Sequence, residues 1–304
     1  MSNKGKSLKE FYENALGQTE KAGGCLDALL LTGTFPIEEI NSPFVSLNLD
    51  KAKEWQATQP PPNLIFNHGQ FVFSENELGY SYIKNELEKN VKSNRACISL
   101  VNMPDILNSK KKELRDLPSF LVLQATQSTT DHTELIVSAY FRALEIMHFL
   151  PINISEICIV IKEISIGFPH FSKFRLSIFA NRAQIIKDFN CLEKAKLDYV
   201  KKHLLSKAVL SKEYGQIIEW LSEKKKREES VVITDGLKYL ADAFQDENVP
   251  VISKLIYSAI EKLNILKSAR QRTSVHKEIE AHWGDIRTSI ETIISRLEEL
   301  KSAN

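Results

Sequence analysis

The stretch YFRALEIMHFLPINIS, from Tyr140 to Ser155, is mostly apolar yet carries an arginine near its start and an asparagine two residues after its proline. Arg142 and Asn153 are the types a recognition site needs. A guanidinium is a planar fork that can donate two charge-assisted hydrogen bonds to one phosphate or carboxylate. A primary amide donates and accepts at once, as reading the edge of a planar heterocycle requires. Glu145, three residues after Arg142, is the nearby acid able to relieve a buried guanidinium by pairing along a helix. The same spacing has a plain structural reading, in which the stretch is a buried helix running into a turn. Arg142 then lays its stem along the helix edge and Asn153 caps the next helix.

The other reactive types are scattered. His68, His132, His148, His170 and His203 stand alone, and His148 fits a satisfied core histidine. His276 and His282 are six apart, a rotation of about 240° on a helix, so they do not share a face as metal ligands would. Cys25, Cys97, Cys158 and Cys191 form no CxxC pair, which argues against a zinc site and a disulfide framework and for a reducing compartment. No Ser/His/Asp or Cys/His set can be assembled, and no GxGxxG or Walker loop occurs. No metal or cofactor is expected.

Two kinds of structure must position these groups. At 304 residues the chain exceeds the size at which one core stops growing, so two domains are expected. In the first, RACISLVNM and SFLVLQATQ read as strands, while HTELIVSAYFRALEIMHFL and KFRLSIFANRAQIIKDF read as strand then helix. TQPPPNLIF is a turn or surface loop. After Cys191 glycine and proline nearly vanish and helix formers dominate, which divides the chain into 1–192 and an α-helical 193–304. There Ile252, Ile256, Ala259, Leu263 and Leu266 form one stripe, and Ile279, Trp283, Ile286, Ile290, Ile293, Leu297 and Leu300 form another. The two are out of phase, so KSARQRTS must break them into an antiparallel, coiled-coil-like hairpin. Its second arm offers a narrow apolar seam, for a protein partner or for the chain's own first domain. EKKKREES reads as a solvated helix end and loop.

A net charge of +1, from 40 basic and 39 acidic side chains, gives no global pull toward nucleic acid or anionic membrane, though local patches leave nucleic acid open. No run approaches the roughly 18 apolar residues of a membrane span, so a cytoplasmic protein is expected.

Read in order, NRACISLVNMPDI, RDLPSFLVLQ, YFRALEIMHFLPINIS and RLSIFANRAQ resemble the central part of the thymidylate synthase and pyrimidine hydroxymethylase family, over about residues 79–190. Residues 1–78 match poorly and 191–304 not at all. The resemblance implies an α+β domain whose sheet packs on its copy in a homodimer, followed by the all-α domain. It implies that Arg142 grips a nucleotide phosphate and that Asn153 reads a pyrimidine edge. Arg95 falls on the second of two arginines that reach across the dimer to the partner's phosphate; Asn94 replaces the first.

The departures matter as much. Phe120 stands at the catalytic cysteine, and a phenyl ring cannot add to a pyrimidine. Neighbouring Ser119 has no adjacent general base. Ser177 and Phe179 replace the histidine and tyrosine that hold the sugar, and LTGTF lacks the phosphate-loop arginine, with Leu31 before Thr32. The folate-closing tail is replaced by helices. The expectation is therefore a non-catalytic nucleotide- or phosphate-ligand-binding, sensing or scaffold protein, with a helical arm for a protein partner. One alternative is an enzyme doing non-covalent nucleotide chemistry in the old pocket. Another is a ribonuclease: RQRTSVH, from Arg270 to His276, is similar in spacing to the motif of HEPN domains, which would suit a bacterial defence cassette. In a third, the pocket has decayed and the fold is a dimerisation platform.

Overall fold

The computed structural model describes every residue except 1–2, 5–6, 63, 65–66, 76, 102–117, 187–192, 229–231, 274 and 304, and describes the backbone alone at 3–4, 74–75, 271 and 276. It divides into two compact units, Met1–Pro60 with Phe66–Lys187 and Asp188–Asn304 with Pro61–Ile65. The proline-rich loop thus makes a short excursion into the second unit, where Leu64 forms an isolated antiparallel bridge with Glu193.

The first unit is α+β. In chain order it holds β1 (Asn3–Lys4), α1 (Leu8–Lys21), β2 (Cys25–Pro36), α2 (Pro43–Gln56), α3 (Gly69–Glu75), α4 (Ser81–Lys89), β3 (Cys97–Ser99), β4 (Phe120–Gln127), β5 (Glu134–Phe141), β6 (Leu144–Glu145), α5 (Phe149–Gly167) and β7 (Lys173–Gln184). The mixed sheet runs β1-β2-β7-β5-β4-β3, with β6 also on β7. β5 and β7 are parallel, so the chain must cross over between them, and α5 is that crossover. α5 is apolar almost all round, which only a helix buried on every side can be.

Alternation sorts the strands onto two faces. Leu123, Leu135, Val137, Phe174, Leu176 and Ile178 enter the core. The opposite face carries Leu30, Phe179, Tyr140 and Val122 in one register row across β2, β7, β5 and β4. Thr32, Ser177, Ser138 and Gln124 form the next row. That face is open: Leu30 is 63% and Tyr140 44% exposed.

Two segments differ from the sequence reading. The Tyr140–Ser155 stretch is not one helix but the end of β5, a bend, β6, a turn and the start of α5. Pro151 lies in the first turn of α5, where its missing N–H costs nothing, so it helps begin a helix rather than end one. KFRLSIFANRAQ is a single strand, β7, because its alternation continues to Gln184.

The second unit is helical: α6 (Lys202–Leu210), α7 (Tyr214–Lys226), α8 (Asp235–Asp246), α9 (Pro250–Arg272) and α10 (His276–Ser302). Lys262 of α9 bonds Ser289 of α10, while Arg270, farther along α9, meets Trp283, farther back on α10, so the pair is antiparallel. Both apolar stripes are buried inside this unit, with Ile217, Trp220 and Leu221 of α7 and Leu237, Leu240 and Phe244 of α8. The seam expected to face a partner is therefore core. EKKKREES is not a plain solvated run either. The Lys224 ammonium is buried, 2.7 Å from Asp198 Oδ2 and 2.9 Å from the Ile233 carbonyl. Among the described residues, no helix is long and apolar enough to cross a membrane.

Candidate functional site

Arg142 sits in the bend after β5. Its N–H donates to the Ser119 carbonyl at 2.9 Å and its Nε to the Pro118 carbonyl at 3.1 Å. The residue is exposed, so it needs no counter-charge to relieve burial. Its donors hold the start of β4 and form a rim.

Glu145 is buried and otherwise engaged. Its carboxylate accepts the N–H groups of Met147 at 3.0 Å, His148 at 2.6 Å, Phe149 at 3.3 Å and Ile186 at 3.3 Å, and lies 3.2 Å from His148 Nδ1. A helix leaves its first N–H groups unpaired and its N-terminus positive, and Glu145 supplies both acceptor and charge to α5. It also ties β6 to the chain after β7. With its lone pairs so occupied, Glu145 is a capping group, and its expected service to a ligand or to Arg142 gives way to this one.

Asn153 is buried on α5. Phe149, Asn153, Glu156, Val160 and Glu163 recur at spacings of four and three and form one stripe of that helix. Phe149 packs edge-on against Trp55, with centroids 5.4 Å apart, and Glu163 accepts from Ser81 Oγ at 2.7 Å. Between them Glu156 takes His68, whose Nδ1 lies 3.0 Å from both carboxylate oxygens. Both partners are buried. The His68 ring in turn stands edge-on to Trp55 at 4.8 Å and to Phe120 at 5.5 Å.

Two polar atoms in this neighbourhood, Asn153 Oδ1 and the Tyr80 hydroxyl, are buried with no partner among the described residues. Burial pushes the Glu156 carboxyl up, while His68 pulls it back. The Tyr80 phenol is pushed well up by burial and by the nearby Glu156, so it stays neutral.

Phe120, where the resemblance would put a nucleophile, is fully buried and stacked on Phe141 with centroids 4.6 Å apart. Phe141 immediately precedes Arg142. The expected residues thus gather in part: Arg142 at a rim, Phe120 and Phe141 beneath it, then His68, Glu156 and the stripe holding Asn153. Arg95 does not join them in the chain. Its neighbour Ala96 accepts the Ala125 N–H, whereas Arg142 bonds Ser119. Ser119 and Ala125 are six positions apart on an extended chain, about 20 Å. Ser177 and Thr32 meet through their hydroxyls at 3.3 Å on the sheet's open face, and Phe179 lies beside them on β7.

The ribonuclease pair has a different setting. Arg270 lies over the Trp283 ring, 5.9 Å from its centroid, a cation–π contact that covers the end of the helical core. His276 opens α10, and its side chain lies outside the described residues. A groove of about 550 Å³ in this unit is lined by Lys225, Lys226, Arg287, Thr288 and Glu291. Its cations are largely spoken for, since Lys225 pairs with Glu291 and Arg287 with Glu228. Among the described residues, no three acidic, His or Cys groups could hold a metal ion.

Sequence reasoning missed the His68–Glu156 pair. A signal was there: Glu156 is the one acid in the apolar run FLPINISEICIVI, from Phe149 to Ile161, and a buried carboxylate must find a partner. No family model matches this chain, and no curated protein matches it significantly.

Proposed function

We propose that this chain is a non-catalytic binding or scaffold protein built on a thymidylate-synthase-like fold, retaining at most a phosphate-binding rim around Arg142. The observation that carries this reading is the aromatic filling of the nucleophile's position. Phe120 is buried, stacks on Phe141 and touches His68, so there is neither a thiolate nor room beside it for a covalent adduct. The open sheet face, with its row Leu30–Phe179–Tyr140–Val122, supports pairing with a second copy. Charge favours self-association there, because Arg175 is already paired with Glu134. The helical unit then serves as the part that meets another protein, through its outer surface and not through its buried seam.

The test has two arms. Incubation with dUMP or dCMP and methylenetetrahydrofolate should leave both nucleotides unchanged; protein-dependent turnover overturns the reading. Calorimetry with a panel of mononucleotides and sugar phosphates should show binding that Arg142→Ala weakens by roughly tenfold to more than a hundredfold, since hydrogen bonds to a charged group contribute about 1.5–3 kcal/mol. If none binds at millimolar concentration, the ligand half of the proposal fails and the dimerisation platform remains.

A further inference from the structure

The groove between α7 and α10 has no part in the proposed function, and its walls are built from charge. Lys225 and Lys226 come from the last turn of α7, and Arg287, Thr288 and Glu291 from the middle of α10, around a volume of about 550 Å³. A basic last turn complements the negative end of a helix dipole, which accounts for lysines on α7. It does not account for Arg287, which stands mid-helix on the facing wall.

Arg287 is held from below. Its Nη2 donates to Glu228, whose side chain is buried while that of Arg287 is 42% exposed. A buried carboxylate needs a cation, so the guanidinium is fixed in one place before any ligand arrives. A guanidinium has five N–H donors, and Nε and Nη1 of Arg287 bond nothing else among the described residues. Lys225 leans across to Glu291, and both partners of that pair are open to water. Such a pair contributes little and is readily exchanged. Lys226 is exposed and pairs with no acid among the described residues. The ion pairs here fix the cations more than they neutralise them: Lys225, Lys226 and Arg287 against Glu291 and Glu228 leave one positive charge in excess.

We propose that this groove binds a phosphate-bearing small molecule. Arg287 supplies a preset fork, Lys226 an uncommitted charge, and Lys225 turns from Glu291 to the ligand. A phosphate ester carries a charge of about −1.5 to −2 at neutral pH, so it competes for Lys225 where a single carboxylate such as Glu291 only matches what is already there. The volume lies in the range of about 300–1,000 Å³ common to small-molecule sites, which leaves room for the organic part of the ligand. Glu291 is then the competitor, holding Lys225 and repelling the anion until the phosphate displaces it.

Calorimetry tests this on the full chain carrying Arg142→Ala, so that the rim of the first unit contributes nothing. Ribose 5-phosphate should bind, more weakly as salt rises, and ribose should not. Lys226→Glu changes an exposed side chain and should weaken binding about tenfold or more. Glu291→Gln should tighten it severalfold, a gain that a purely structural role for these residues would not produce. Arg287→Ala would strand the buried Glu228, so Arg287→Lys is the informative variant; it keeps the charge, loses the fork and should weaken binding. The proposal is overturned if ribose 5-phosphate does not bind at millimolar concentration, if ribose binds as well, or if either Lys226→Glu or Glu291→Gln leaves the affinity unchanged.

Discussion

Glu145 and Glu156 are both acids in apolar surroundings, and what separates them is what each has within reach. Glu145 meets the N-terminus of a helix, where free N–H groups satisfy a carboxylate without a cation. Glu156 sits mid-helix, where the backbone N–H groups are already used, and so it needs His68. Arg142 and Phe120 were singled out from the sequence by type and by resemblance, as an expected recognition position and an expected lost nucleophile. The partner of Glu156 was not, because His68 is 88 residues away and no local period encodes a pair at that distance. For Glu145→Ala we expect a loss of about 2–4 kcal/mol, combining the charged hydrogen bonds with stranded N–H donors, and for Glu145→Gln roughly half. Urea denaturation followed by circular dichroism decides. An unchanged midpoint in the alanine variant would return Glu145 to the pool of ligand-binding candidates.

At the scale of elements, what could be read was whatever repeats locally. β4 and β5 show their alternation, and the two apolar stripes of α9 and α10 show theirs, so both the hairpin and its break were anticipated. What the second stripe would pack against was hidden, because α7, which supplies the other half of its contact, ends at Lys226, fifty residues before α10 begins at His276. A stripe with no visible partner in the sequence looks like an interface and turns out to be core. Ile290→Asn should therefore unfold the helical unit, costing about 3–5 kcal/mol for the lost packing and the buried amide, rather than release a partner from an intact arm. Tryptophan fluorescence during thermal unfolding reads this, since Trp220 and Trp283 both lie in that core. A variant with wild-type melting would mean that Ile290 faces something other than its own unit.

For the molecule as a whole, the open sheet face leaves Leu30 and Tyr140 exposed, and a second copy is its proposed occupant. Leu30→Lys together with Phe179→Glu should give a folded monomer in sedimentation at concentrations where the wild type is a dimer; a dimer that persists moves the interface elsewhere. The excursion of Pro61–Ile65 into the second unit carries a consequence of another kind, in time. On the ribosome Leu64 emerges long before Glu193, and at 5–20 residues per second the wait is on the order of ten seconds. During that interval α3 to β7 of the first unit are still being made, and when β7 is finished at Gln184 the partner of Leu64 has yet to follow. A nascent chain released early, at the end of β7, keeps that loop as a permanent loose end, so the first unit's birth is complete only when the second has been made.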